Sequence, residues 1–125
     1  MSDLSDKEFD VLITRAMDEL PQEYIKNLEN VAIIMADDPT PEQHQKMRLD
    51  QGSLLLGLFE GVPKTLQGSG WSGMLPSKIT LFKNSILTIT PQEPQLSEQI
   101  KRTLWHEIAH YYGLSHADMD KRRRI

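Results

Sequence analysis

Three of the four histidines lie between positions 106 and 116, and their spacing is that of metal ligands. They form the pattern H-E-x-x-H-x-x-G-x-x-H, which comprises His106, Glu107, His110, Gly113 and His116. On an α-helix, residues four apart leave the same face one turn apart, so His106 and His110 are predicted to reach one ion. Imidazole nitrogens placed in this way suit Zn²⁺. The sequence therefore predicts a zinc site on a helix.

Glu107 lies about 100° round the predicted helix from His106. This rotation places its carboxylate beside the ion, where it can take a proton from a metal-bound water without being a ligand. Gly113 allows the left-handed backbone that ends a helix, and His116 is predicted to turn back as the third ligand. A fourth position left open for water is typical of a catalytic zinc site.

Glu107 is also the only formally charged side chain between Thr103 and Gly113. Most of its neighbours there are apolar or aromatic, so the helix is predicted to be central and buried. A buried carboxylate is costly unless it is paired or lies near a metal, which favours the zinc interpretation. Two other interpretations stay open: core histidines bonded to the backbone, and a zinc site without catalysis.

Two helices are predicted to frame the chain. The motif lies on a helix from about residue 98 to 112, with Ser97 as its N-cap. At the N-terminus, Ser5 and Glu8 fit a capping box, and the helix that follows closes at Pro21. The apolar residues of this first helix recur at helical spacing and predict one buried stripe. They are Phe9, Leu12, Ile13, Ala16 and Leu20.

Four short apolar segments are predicted as strands, and all but the second of them are rich in β-branched residues or alternate in polarity. They cover residues 31–35, 54–60, 78–82 and 85–89. A turn at 83–84 would join the last two as a hairpin. Residues 39–50 are predicted as a loop or an exposed helix, and the glycine-rich residues 67–73 as a flexible loop. Helices and strands together indicate an α+β fold.

Length and composition limit the possible classes of protein. The chain has 125 residues, 38% of them hydrophobic, which predicts one domain over 1–125 with flexible ends at 1–4 and 121–125. A net charge of −4 argues against nucleic acid as a partner, and the basic end is interpreted as solvated. The absence of cysteine excludes thiol catalysis, disulfides and cysteine-ligated zinc. With no membrane-length apolar run and no signal-like N-terminus, a cytoplasmic protein that avoids membranes is expected.

The motif resembles the zinc signature of the metzincins, and the whole chain is more similar to the small bacterial zincin-like metallopeptidases. Two further segments carry this resemblance: residues 55–63, LLGLFEGVP, and residues 75–82, LPSKITLF. The resemblance spans roughly residues 5–120. It implies a minimal zincin-like α+β fold, in which a small mixed β-sheet packs against an N-terminal helix and a central zinc-binding helix.

The resemblance also implies one Zn²⁺ ion and the hydrolysis of peptide bonds in a peptide or protein substrate. It assigns His106 and His110 as zinc ligands, with Glu107 as the general base. His116 would be the third ligand.

After His116 the sequence departs from the metzincin pattern. The small family often has an aspartate as the third ligand, which makes Asp118 and Asp120 alternatives to His116. Met119 lies too close to the motif to be the methionine-containing turn of metzincins, and it is interpreted as a hydrophobic contact after the helix.

Substrate binding and alternative functions complete the expectations. In zincins the substrate pairs as an extended strand with a sheet edge, for which residues 79–82 are the candidate. Tyr111 and Tyr112 are candidate donors to the oxyanion, although packing in the core is the first expectation for both.

One alternative function is that of a zinc endoribonuclease, because a bacterial family of that kind shares the ligand spacing but has glycine at the position of Glu107. The other is a non-catalytic zinc-binding regulatory module.

Overall fold

The computed structural model describes residues 4–28, 30–46, 54–61, 77–92 and 95–114. This part of the chain contains five helices and three strands, which confirms the α+β class. The helices are α1 (Asp6–Glu19), α2 (Gln22–Lys26), α3 (Pro41–Lys46), α4 (Lys83–Ile89) and α5 (Gln95–Tyr112). The strands are β1 (Val31–Ala36), β2 (Gly57–Glu60) and β3 (Ser77–Phe82).

Helix α1 begins with the capping box that the sequence predicts. The Glu8 N–H donates to the Ser5 hydroxyl at 3.1 Å, and the Ser5 N–H donates to the Glu8 carboxylate at 3.0 Å. The five apolar residues of the predicted stripe are all buried. Helix α1 therefore presents its predicted face to the core and ends just before Pro21.

The three strands form one mixed sheet in the order β1-β3-β2. Strand β1 runs parallel to β3, with Val31 opposite Ser77, and β2 runs antiparallel to β3, with Gly57 opposite Leu81. Because β3 is paired on both sides, the expectation that residues 79–82 form the substrate-binding edge is wrong. The outer strands of the described sheet are β1 and β2.

The strand predicted over 85–89, with its turn at 83–84, is also wrong, because these residues form helix α4. Both sides of β3 are already occupied, so a hairpin partner following Phe82 has no ladder to join. The chain turns into a helix instead, and its Ile86 and Leu87 enter the main core. The Thr90 N–H closes the last turn by donating to the Ile86 carbonyl at 2.9 Å.

Smaller differences concern the ends and the exposure of elements. Strand β1 confirms the strand predicted at 31–35, but it is half-buried because it lies at the edge of the sheet. Helix α3 agrees with the exposed-helix alternative for part of 39–50, and the short α2 was not predicted. Helix α5 begins at Gln95, so Ser97 lies inside its first turn. The predicted loop at 67–73 lies outside the described residues.

The main core lies between α1, α5 and the sheet. Phe9 of α1, Ile79 and Leu81 of β3, and Leu104 of α5 are fully buried in one cluster. This packing fixes α5 against α1 on one side and against β2 and β3 on the other. The motif residues on α5 consequently lie next to β2. Among the described helices, none has the length and apolar character needed to cross a membrane.

Candidate active site

Helix α5 has an apolar inner face and a polar face that lines a cleft. The inner face consists of Leu96, Ile100, Leu104 and Ile108, which recur every four residues and are fully buried. Their burial sets the rotation of the helix about its axis. With this rotation, His106 and His110 are left half-buried at the cleft.

The two histidines of α5 lie side by side, as their four-residue spacing predicts. The ring centroids of His106 and His110 are 4.4 Å apart, with the planes inclined at 69°. One ligand atom from each of His106, Glu107 and His110 lies within 4.8 Å of the other two. Two imidazoles and a carboxylate brought this close are compatible with a single bound metal ion.

Glu107 is buried, at 6% exposure, as the apolar composition of its segment predicts. Its Oε1 atom accepts a hydrogen bond from the Phe59 N–H at 2.9 Å and lies 3.2 Å from His110 Nδ1. The hydrogen bond to Glu107 raises the pKa of His110, although burial acts in the opposite direction. A carboxylate on Nδ1 leaves the other ring nitrogen of His110 to bind a metal.

The cluster borders a cleft of about 330 Å³, which is the size of a small ligand site. One wall is formed by Leu55, Leu56 and Gly57, and the other by Gln99, Arg102, Thr103, His106, Glu107 and His110 of α5. The Gln99 side chain donates to the Thr103 hydroxyl at 2.9 Å. The cleft thus has an apolar wall at the start of β2 and a polar wall on α5.

Gly57 allows β2 to approach α5 closely. A Cβ atom at this position would lie 2.9 Å from Thr103 Cγ2 and 3.3 Å from Glu107 Cγ. The first distance is shorter than carbon atoms tolerate, so a larger residue would require the Thr103 side chain or the strand to move. Sequence reasoning did not select Gly57, although an isolated glycine in an apolar strand signals a close backbone approach.

Tyr111 and Tyr112 both pack in the core, as first expected. The Tyr112 hydroxyl donates to the Tyr24 carbonyl at 2.6 Å. Tyr111 is 1% exposed and packs edge-on to Phe59, with ring centroids 6.0 Å apart. Neither side chain lines the cleft.

The far end of the motif is described only as far as residue 114. Gly113 has a φ of 73°, and its N–H donates to the His110 carbonyl at 3.1 Å. Helix α5 therefore ends at the predicted glycine, in the left-handed backbone expected for a sharp exit. His116 lies outside the described residues, as do the alternative ligands Asp118 and Asp120, and Met119.

Comparison with known proteins gives a family and a fold. The sequence model of the zincin-like metallopeptidase family matches residues 28–124, which include the three described strands and the complete motif. Among solved structures, a conserved hypothetical protein from Thermus thermophilus is similar, with a TM-score of 0.59 and 22% sequence identity. The match covers 87% of this chain and 94% of that protein, and it supports the fold. No curated protein matches the chain.

Proposed function

This chain belongs to the zincin-like metallopeptidase family, and we propose that it is a zinc-dependent peptidase acting on a peptide or protein substrate in the cytoplasm. The observation that carries the proposal is the buried Glu107 carboxylate held beside the imidazoles of His106 and His110. Burying a carboxylate is costly, and a neighbouring cation offsets that cost. The two imidazoles and the buried carboxylate therefore favour a Zn²⁺ site over a structural cluster that holds no metal.

In this proposal His106 and His110 bind the zinc ion, and His116 supplies the third nitrogen. Asp118 and Asp120 remain alternative third ligands. When bound, zinc lowers the pKa of a water molecule and polarises the scissile carbonyl. Three protein ligands leave a position for that water, as catalytic sites require.

Glu107 is proposed as the general base and then the general acid. It takes a proton from the attacking water and returns it to the amine that leaves when the C–N bond breaks. Its Oε2 atom has no hydrogen bond to any described residue, whereas Oε1 is engaged by Phe59 and His110. Oε2 is therefore the oxygen available for proton transfer.

The substrate is proposed to bind along β2 instead of β3. Strand β2 pairs with β3 on one side, and its first residue, Gly57, borders the cleft on α5. An extended peptide laid along this side could hydrogen-bond to the backbone of Gly57. Its side chains would meet Leu55 and Leu56 on one wall and Arg102 on the other.

The test compares the wild-type protein with Glu107→Gln for zinc content and for cleavage of a peptide library. Both proteins are expected to hold about one zinc per chain. The variant is expected to cleave about 10²–10⁴-fold more slowly, which is the contribution of a general base. Glu98→Gln is the matched control, because Glu98 is an exposed glutamate on the same helix away from the cleft.

Three outcomes would contradict the proposal in different ways. Failure to bind zinc after reconstitution would remove the metal site. Zinc binding with cleavage of RNA but not of peptides would support the endoribonuclease alternative. Zinc binding with no hydrolysis, in the wild type and in Glu107→Gln alike, would support a regulatory module.

A further inference from the structure

Strand β2 presents alternate backbone groups to two different neighbours. The Phe82 N–H donates to the Leu56 carbonyl at 2.9 Å. The backbone N–H and C=O groups of the even-numbered residues in this segment therefore point towards β3. In an antiparallel ladder the intervening residues point the other way. The Phe59 N–H does so and donates to Glu107. Gly57 shares this orientation, so the side of β2 away from β3 presents the backbone groups of Gly57 and Phe59, and Gly57 borders the cleft.

The bond from Phe59 to Glu107 joins residues that are far apart in sequence and partly buried. A backbone N–H that donates to a carboxylate makes a charge-assisted bond, which is stronger than one between neutral groups. Because β2 is anchored to β3, the position of this N–H is fixed by the sheet. The carboxylate of Glu107 is thus tied at Oε1 to a rigid element outside its own helix.

Gly57 determines whether that bond can form. A Cβ atom at Gly57 would overlap Thr103 Cγ2, at 2.9 Å, and would press on Leu81 Cδ2 and Glu107 Cγ, at 3.2 and 3.3 Å. An outward shift of β2 at Gly57 would carry the Phe59 N–H away from Oε1, since the two residues belong to the same short strand.

We propose that β2 positions the general base of the peptidase: the Phe59 N–H fixes Oε1 of Glu107, and Gly57 brings the strand close enough to do so. The inference rests on the proposed function, in which Oε2 handles the proton. Fixing one oxygen restricts rotation of the carboxylate and presents the other to the cleft. Gly57 and Phe59 are then positioning residues that act through Glu107.

The first test uses metal-free protein and needs no activity. Amide hydrogen exchange at Phe59 is measured in the wild type and in Glu107→Ala, with the Phe82 amide, which donates to the Leu56 carbonyl, as the internal reference. Loss of the carboxylate is expected to speed exchange at Phe59 by about tenfold, the equivalent of one hydrogen bond, and to leave the Phe82 amide unchanged. An unchanged rate at Phe59 would overturn the proposal.

The second test measures the kinetics of the zinc-loaded protein. Gly57→Ala is expected to lower kcat by about 10- to 100-fold, the effect of moving a catalytic group by about 1 Å, with zinc content little changed. Adding Thr103→Ser removes the methyl group nearest to the new Cβ and keeps the hydroxyl that accepts from Gln99. The double variant is expected to recover part of kcat. A fall in zinc content that accounts for all the lost activity would contradict the positioning role.

A backbone ester at residue 59 covers the case in which Gly57→Ala does not fold. This change removes the N–H of Phe59 and keeps its side chain. An ester at Thr90, whose N–H makes a bond of the same length to Ile86, is the matched control. A fall in kcat at 59 and not at 90 supports the proposal, and equal kcat overturns it. If the wild-type protein cleaves no peptide, the proposed function fails, and the exchange experiment still decides whether Phe59 holds Glu107.

Discussion

The inner and cleft faces of α5 lie on the same helix but differ in chemistry. The inner face has only aliphatic side chains, and each is completely removed from solvent. The cleft face has imidazoles, an arginine and an amide that remain accessible, and the side chain of His110 is 38% exposed. Buried aliphatic groups supply most of the stability of a small domain, whereas accessible polar groups add little.

This difference indicates that stability and chemistry are assigned to different residues of α5. Glu107 lies between the two faces, because it is buried like the inner face and polar like the cleft face. A buried acid needs a partner, and the structure provides one from β2 and one from its own helix. Variants on the two faces should therefore have separate effects, one on zinc binding and catalysis and the other on stability.

The largest expected effect is at the cleft face. His106→Ala should abolish zinc binding and peptide cleavage. His110 would then be the one imidazole left among the residues that line the cleft. The melting temperature of the metal-free protein should change little, since His106 is half-buried. Zinc analysis, a cleavage assay and calorimetry measure the three quantities. His44→Ala, on α3, is the control, and stoichiometric zinc in His106→Ala would refute the separation.

The inner face should respond in the opposite way. Leu104→Ala is expected to lower the free energy of unfolding by about 2–5 kcal/mol, because it leaves a cavity at a fully buried site. Activity per folded molecule should stay the same. Urea unfolding of the metal-free protein measures the first quantity, and zinc-normalised cleavage measures the second. Val11→Ala, at a position 51% exposed, should cost less than about 0.5 kcal/mol. Equal losses for both variants would show that the inner face does not dominate stability.

A smaller effect is expected at Tyr112, which lies within the motif but whose hydroxyl is bonded away from the cleft. Tyr112→Phe removes the hydroxyl that donates to the Tyr24 carbonyl at 2.6 Å and should cost about 0.5–1.5 kcal/mol. The value of kcat should not change, because the hydroxyl is engaged in the core. A fall in kcat of about 10²-fold, the loss typical of removing an oxyanion donor, would instead show that Tyr112 acts in catalysis.

The sequence predicted the side chains of the site because their signals are local. The helical spacing of His106 and His110, the charge of Glu107 among apolar neighbours and the helix end at Gly113 all depend on residues close in the chain. The structure confirms that the first three meet and that α5 ends at Gly113. The contribution of β2 could not be predicted in this way, because the bond from Phe59 involves a backbone N–H and no side-chain pattern reports it.

The errors in the fold have a different physical origin. Residues 83–89 are rich in residues that suit both strands and helices, so their local preference does not decide between the two. The outcome depends on which strands already pair with β3, and the register of β1 and β2 is a property of the whole fold. The same non-local information determines that β2, and not β3, borders the cleft.

The smallest predicted effect lies far from both faces, at the start of α1. The Ser5 N–H, which donates to the Glu8 carboxylate, lowers the pKa of Glu8 below its usual 4.5. A depressed pKa in the folded state means that the contribution of Glu8 to stability is present above pH 4.5 and is lost as the pH falls through the folded-state value. Glu8→Ala removes the carboxylate that accepts from the Ser5 N–H and should lower the melting temperature slightly near neutral pH. Melting curves of the metal-free protein between pH 6 and pH 3 should therefore converge for wild type and variant at the acid end, and a gap that stays constant would show that the carboxylate of Glu8 adds nothing to the cap.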